Sequence, residues 1–140
     1  MSNGKVLLAM KKRGFGMGKW NGPGGKQMEG ELIEDTCRRE TKEEIGVDLV
    51  GLEHRGTIEF IVESKPEWNQ ICSIFVASGV IGEPIESDEM RPEWFEIQKI
   101  PLLEMWADDP IWLPGVLAGG TVSLRIYFDA DGAVLHHESI

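Results

Sequence analysis

The sequence predicts an α/β or α+β domain: a mixed sheet with one long helix and one shorter helix against it. Three observations carry that expectation. Short apolar and β-branched runs recur along the chain, each too short for a helix. One stretch, Glu34 to Ile45, carries both start and stop signals of a helix. No linker, repeat or low-complexity tract divides the 140 residues, so residues 1–140 are expected to form one domain.

The elements follow in order. Val6 to Met10 is a run of apolar residues that reads as a short buried strand. Gly14 to Gly25 is a glycine-rich loop containing Trp20, Asn21 and Pro23. In the helix from Glu34 to Ile45, Glu34 and Asp35 sit in the first turn, where the helix dipole favours anions, and Gly46 follows as a left-handed cap. Ile33, Cys37, Thr41 and Ile45 recur every four residues and are expected to form its buried stripe. Val47 to Val62 reads as strand, with an irregularity at Gly51 or Gly56. Gln70 to Val80 is β-rich, Trp94 to Ile97 is a short strand, and Ile100 to Leu103 is one helical turn. Asp109 to Ala118 is a short helix with Pro110 in its first turn and Pro114 as an expected kink. Thr121 to Phe128 and Ala133 to His137 flank Asp129-Ala-Asp-Gly132, a hairpin turn.

Composition narrows the function. A net charge of −10 argues against a polymeric nucleic acid partner, because phosphate binding needs cationic surface. The charge is uneven: Lys5, Lys11, Lys12, Arg13, Lys19 and Lys26 all precede the first acid, Glu29. A basic segment beside an acidic helix suits a small phosphate-bearing substrate. Cys37 and Cys72 form no spacing motif and read as reduced core thiols. No apolar run is long enough for a membrane span, so a cytoplasmic protein with no membrane partner is expected.

The most informative run is Gly25 to Gly46. Glu40, Glu43 and Glu44 stand at i, i+3 and i+4, so a helix places them on one face. At about 5 Å and an effective dielectric near 20, each pair of such charges costs roughly 3 kcal/mol. A cation among them removes that cost, and oxygen-only ligands point to Mg²⁺, with Mn²⁺ as the alternative. The plain alternative is a solvated acidic helix face.

This run resembles the Nudix box: Gly, five residues, Glu, seven residues, Arg-Glu, two residues, Glu-Glu, one residue, Gly. Gly25, Glu31, Arg39, Glu40, Glu43, Glu44 and Gly46 occupy the fixed positions, and only Thr41 departs, where the pattern prefers a bulky aliphatic residue. Lys11-Lys-Arg-Gly-Phe-Gly16, Lys19-Trp-Asn-Gly22, Glu86-Ser-Asp-Glu-Met-Arg-Pro92 and Met105-Trp-Ala-Asp-Asp109 further resemble the eukaryotic MutT-homologue type, the oxidised purine nucleoside triphosphatases. The resemblance implies a Nudix α/β/α sandwich and hydrolysis of a nucleoside triphosphate, of the 8-oxo-dGTP or 2-hydroxy-dATP kind, to monophosphate and pyrophosphate. Such an enzyme sanitises the nucleotide pool. Relatives carry a further strand before the Val6 strand, whereas here only Met1 to Gly4 precede it, so the resemblance implies a sheet lacking that first strand. Other substrates stay open at this point: a methylated purine triphosphate, a nucleotide sugar or a dinucleotide. So does a truncated module that binds nucleotide without turnover.

The implied site follows residue by residue. Metal-assisted attack of water on phosphorus would use Glu40, Glu43 and Glu44 as ligands with the carbonyl of Gly24, and Glu89 as a further ligand or base. Arg39, four residues before Glu43, is placed to hold the carboxylates. Lys11 and Lys26 would contact phosphates, and the backbone of Pro23, Gly24, Gly25 and Lys26 would cradle them. Lys12 and Arg13 read as solvated cations. Trp106, beside Ala107, resembles the family's stacking residue, with Met90 and Phe15 or Phe60 as further walls of a purine slot and Asn21 on its polar edge. Asp108 and Asp109 would face the base, one of the two protonated, because adjacent buried carboxyls do not both ionise. Trp20, Trp68, Trp94 and Trp112 read as packing residues. A monomer is expected.

Overall fold

A computed structural model describes residues 1–140. The strands are β1 (Lys5–Lys11), β2 (Trp20–Asn21), β3 (Asp48–Val62), β4 (Gln70–Ile81), β5 (Met90–Glu96), β6 (Val122–Phe128) and β7 (Val134–Ser139). The helices are α1 (Ile33–Ile45) and α2 (Asp109–Leu117), with single 3₁₀ turns at Pro66–Trp68, Ile97–Lys99 and Leu102–Glu104. One sheet has the order β2-β1-β5 and is antiparallel. The other has the order β4-β3-β6-β7 and is mixed, with β3 parallel to β6 and β6 antiparallel to β7. This is the expected α+β class with two helices. No helix is long and apolar enough to cross a membrane.

The chain divides into two compact units, residues 1–53 with 76–105 and residues 54–75 with 106–140. In the first unit Ala9, Ile45 and Val47 are buried together, with Leu7, Val80 and Met90 packed on them. The cluster therefore joins β1 to the last turn of α1. Trp20 is 5% exposed and meets the Phe95 ring edge-on at 4.9 Å, with the Arg91 guanidinium over its face. In the second unit Ile58, Val62, Val116, Leu117, Val122, Ile126 and Phe128 are buried.

Several elements differ from expectation for identifiable reasons. Trp20–Asn21 lies inside the expected loop yet pairs with Ala9 and Met10 of β1. β5 starts at Met90 rather than Trp94, because β1 pairs along its whole length, from Lys11↔Met90 to Lys5↔Glu96. Pro92 is tolerated because β5 is an edge strand of its sheet. Ile97 leaves the strand and opens a 3₁₀ turn. The helical turn near Ile100 is shifted to Leu102–Glu104.

On α1 the buried positions are Thr36, Thr41 and Ile45, while Ile33 is exposed and Cys37 only half-buried. A row of residues four apart drifts about 40° per step around a helix, so its first member has turned out of the core. Thr41, the one departure from the box pattern, is 3% exposed, and its hydroxyl donates to the Cys37 carbonyl at 2.7 Å. That bond satisfies the buried hydroxyl and makes threonine acceptable there. Gly46 caps the helix at φ 75° as the sequence requires. α2 continues through Pro114, whose ring leaves the carbonyl of the exposed Pro110 without a helical donor.

Candidate active site

The acidic face of α1 is organised by one arginine. Arg39 Nε donates to Glu31 Oε2 at 2.8 Å and Nη2 to Glu31 Oε1 at 3.2 Å. Nη1 reaches Glu40 Oε1 at 2.9 Å and the Glu43 carboxylate at 3.3 Å, and Nη2 also donates to the Lys26 carbonyl at 3.1 Å. Opposed carboxylates raise the Arg39 pKa further, first Glu31 and then Glu40. Glu31 accepts in addition from the Thr36 hydroxyl and the Met28 N–H, and its pKa is held down at about 2, chiefly by Arg39. Arg39 thus bonds Glu40 and Glu43, and Glu31 bonds Arg39.

Glu44 stands apart from that network. Its Oε2 accepts from the Gly24 N–H at 3.3 Å. Burial pushes its pKa up to about 7; the Gly24 N–H opposes the rise, the charge of Glu40 adds to it, Lys11 opposes and Glu89 adds. The charges of Glu40 and Glu89 therefore both bear on Glu44, and so does the cation of Lys11. Gly25 passes so near Glu40 that a Cβ there would lie 2.3 Å from its carboxyl carbon. The chain cradles Glu40 at the only kind of residue that leaves it room.

Glu89 comes from the segment between β4 and β5. Its Oε1 lies 3.3 Å from Arg13, and Lys12 Nζ donates to Glu86 at 2.6 Å and to the Ser87 carbonyl at 2.9 Å. Lys12 and Arg13, expected to be solvated, are paired with this acidic segment instead. The Lys12 partners lie more than seventy residues away, beyond any spacing rule.

The donor set fits a hard divalent cation. It consists of carboxylate oxygens, and Glu44 is already raised, by burial first and by the charges of Glu40 and Glu89 after it. In this arrangement Glu40 and Glu43 lie on Arg39, and no three acidic, histidine or cysteine side chains converge as a ready-made ion cage.

The remaining sites divide between the two units. In the first, Met90 packs on the buried cluster, whereas Phe15 is 79% exposed. Asn21 is exposed, and its Oδ1 accepts from the Gly22 N–H at 2.8 Å, so that acceptor is used locally. Lys26 and Pro23 lie on the surface stretch before α1. In the second unit Phe60 stacks at a tilt on Phe128, 5.7 Å between centroids. Asp108 and Asp109 are both buried, at 4% and 3% exposure. The Trp106 N–H donates to Asp109 Oδ2 at 3.0 Å, and the Trp112 indole N–H donates to Asp108 Oδ2 at 2.8 Å. Burial pushes the Asp108 carboxyl up, against the Trp112 hydrogen bond. Trp112, read as packing, is therefore a partner of the candidate base-reading acid. The spacing Asp108, Trp112 on a helix was the signal for it.

The Nudix domain family model matches residues 1–116. The oxidized purine nucleoside triphosphate hydrolase of Danio rerio is 54% identical over 135 residues, covering 96% of this chain and 86% of that protein. The protein of the same name from Mus musculus is 50% identical over 113 residues, covering 81% and 72%. The crystal structure of a MutT protein from Bacillus halodurans superposes with a TM-score of 0.88 at 28% identity, covering 99% of this chain and 91% of that one. Box, fold and relatives agree: the chain belongs to the Nudix hydrolase family.

Proposed function

We propose that this protein hydrolyses oxidised purine nucleoside triphosphates to the monophosphate and pyrophosphate. The observation that carries the reading is the set of carboxylates organised by Arg39 and Gly24, with Glu44 made basic enough to compete for a proton or a cation near neutrality. The two relatives named for this activity supply the substrate class.

Glu40, Glu43, Glu44 and Glu89, with the Gly24 carbonyl, would hold Mg²⁺, which offsets phosphate charge and activates water. The chain's own residues do the rest. Arg39 keeps Glu40 and Glu43 aimed, and Gly25 leaves Glu40 its space. Lys11 and Lys26 contribute positive charge toward the triphosphate. Asp108 and Asp109, with Trp106, Ala107 and Phe60, recognise the purine, and the raised Asp108 carboxyl serves as a donor to it.

The test is pyrophosphate release from 8-oxo-dGTP and 2-hydroxy-dATP against dGTP and dATP, with and without Mg²⁺. Turnover of the oxidised substrates that vanishes on chelation and in Glu44→Gln is expected. Equal turnover of oxidised and normal purines would sink the substrate assignment, and full activity of Glu44→Gln the site assignment.

A further inference from the structure

We propose that Ser87 is a positioning residue for the metal site, its hydroxyl fastening the segment that carries Glu89 to the helix turn that carries Glu44. The proposal rests on the reading of Glu44 and Glu89 as ligands. A helix leaves its last carbonyls without partners, and α1 fills two of them from one segment. The Ile85 N–H donates to the Ile45 carbonyl at 2.9 Å, and the Ser87 hydroxyl donates to the Glu44 carbonyl at 3.1 Å. The same oxygen accepts from the Glu89 N–H at 3.3 Å and from the Met90 N–H at 3.1 Å. A hydroxyl has one proton to give and two lone pairs, so this one is fully used. It ties the backbone of Glu44 to the backbone of Glu89 through a single atom.

The far side of the segment is held independently. Lys12 donates through Nζ to the Ser87 carbonyl and Glu86, and its N–H donates to the Glu89 carbonyl at 2.8 Å. The Ser87 N–H also closes a turn onto the Met90 carbonyl at 2.9 Å. None of these bonds needs the Ser87 hydroxyl. Removing it therefore leaves the segment attached while releasing the link from Glu89 to Glu44. A supporting residue of this kind orients ligands without touching the ion.

The test is Mn²⁺ binding to the nucleotide-free protein by calorimetry, with thermal unfolding recorded alongside. Ser87→Ala should weaken binding roughly tenfold, and Ser87→Thr should restore it. In a Glu89→Gln background Ser87→Ala should add no further loss, because the ligand it positions is already gone. Unchanged binding in Ser87→Ala, or a loss that adds fully to that of Glu89→Gln, overturns the proposal. Unchanged binding in Glu89→Gln instead overturns the ligand reading beneath it. If Ser87→Ala does not fold, Ser87→Cys takes its place, because a thiol fills the same position but donates and accepts only weakly. A loss absent in the Glu89→Gln background is expected there too, and unchanged binding overturns the proposal.

Discussion

Arg39 and Glu31, eight residues apart, meet edge to edge through two hydrogen bonds of 2.8 and 3.2 Å. The pairing fixes the guanidinium plane, so its remaining edge faces Glu40 and Glu43. Glu31 touches none of these carboxylates, yet it decides where they stand.

Glu31→Gln keeps the shape and discards the charge. The variant is expected to melt several degrees lower and to lose roughly tenfold in kcat, as outer partners of ligands do. The stability effect has a definite pH course. Glu31 titrates at about 2 in the fold. An unfolded glutamate titrates near 4.5, the starting value of that shift. The wild-type advantage is thus complete above the unfolded value and lost as pH falls through about 2. Melting curves of both proteins across the acid range check this, and a constant difference down to low pH would contradict it.

Gly25→Ala and Gly56→Ala separate activity from folding. At Gly25 the new Cβ meets the end of a flexible side chain, the Glu40 carboxyl at 2.3 Å. Glu40 can swing away, so stability should change by less than about 0.5 kcal/mol while turnover falls at least about tenfold. At Gly56, where φ is +137°, the Cβ would lie 1.7 Å from the backbone oxygen of Val122, its strand partner. That variant should fail to fold or lose several kcal/mol. Calorimetric melting with steady-state kinetics distinguishes the two outcomes.

Glu44 gives the opposite pH course from Glu31. Its pKa rises from 4.5 unfolded to about 7 folded, so between those values the native protein holds a proton that the unfolded chain has released. Metal-free stability should therefore fall as pH rises from about 4.5 to about 7 and then level off. Glu44→Gln should be more stable than wild type above neutrality, by about 1 kcal/mol after discounting solvent screening, and equal to it in acid. Bound Mg²⁺ should erase the difference in slope, because the ion takes the place of the proton. Chemical unfolding at several pH values, with and without Mg²⁺, reads this directly.

Asp108→Asn removes a charge that burial disfavours while keeping an acceptor for the Trp112 N–H. It should melt at the same temperature or higher. The ratio of kcat/KM between 8-oxo-dGTP and 2-hydroxy-dATP should change roughly tenfold or more, because the amide fixes a donor where a carboxyl can either donate or, ionised, accept. An unchanged ratio would remove Asp108 from base recognition.

Much of this was legible from residue order. The helix carrying Glu40, Glu43 and Glu44 announces itself through its acidic first turn and the Gly46 cap, both local signals within one turn of the helix ends. The hairpin at Asp129–Gly132 and the strands near Val6 and Val122 followed from the same short-range chemistry. What was not legible depended on partners far away in the chain. β2 exists because Trp20 and Asn21 find β1, and β5 is long because β1 pairs along its whole length. The pairing of Lys12 with Glu86 and the bond from Ser87 to Glu44 have no spacing that could reveal them.

Residue order alone, then, fixed the chemistry on offer: hard oxygen ligands at helical spacing, an arginine beside them and glycines where backbone must come close. Helical periodicity does that without any tertiary contact. Tertiary structure decided how the groups are used. It set Glu31 on Arg39, buried Glu44 until its proton affinity rose, and placed Glu89 where its charge is felt by Glu44. Burial and long-range pairing set these properties, and both exist only once the chain has closed on itself.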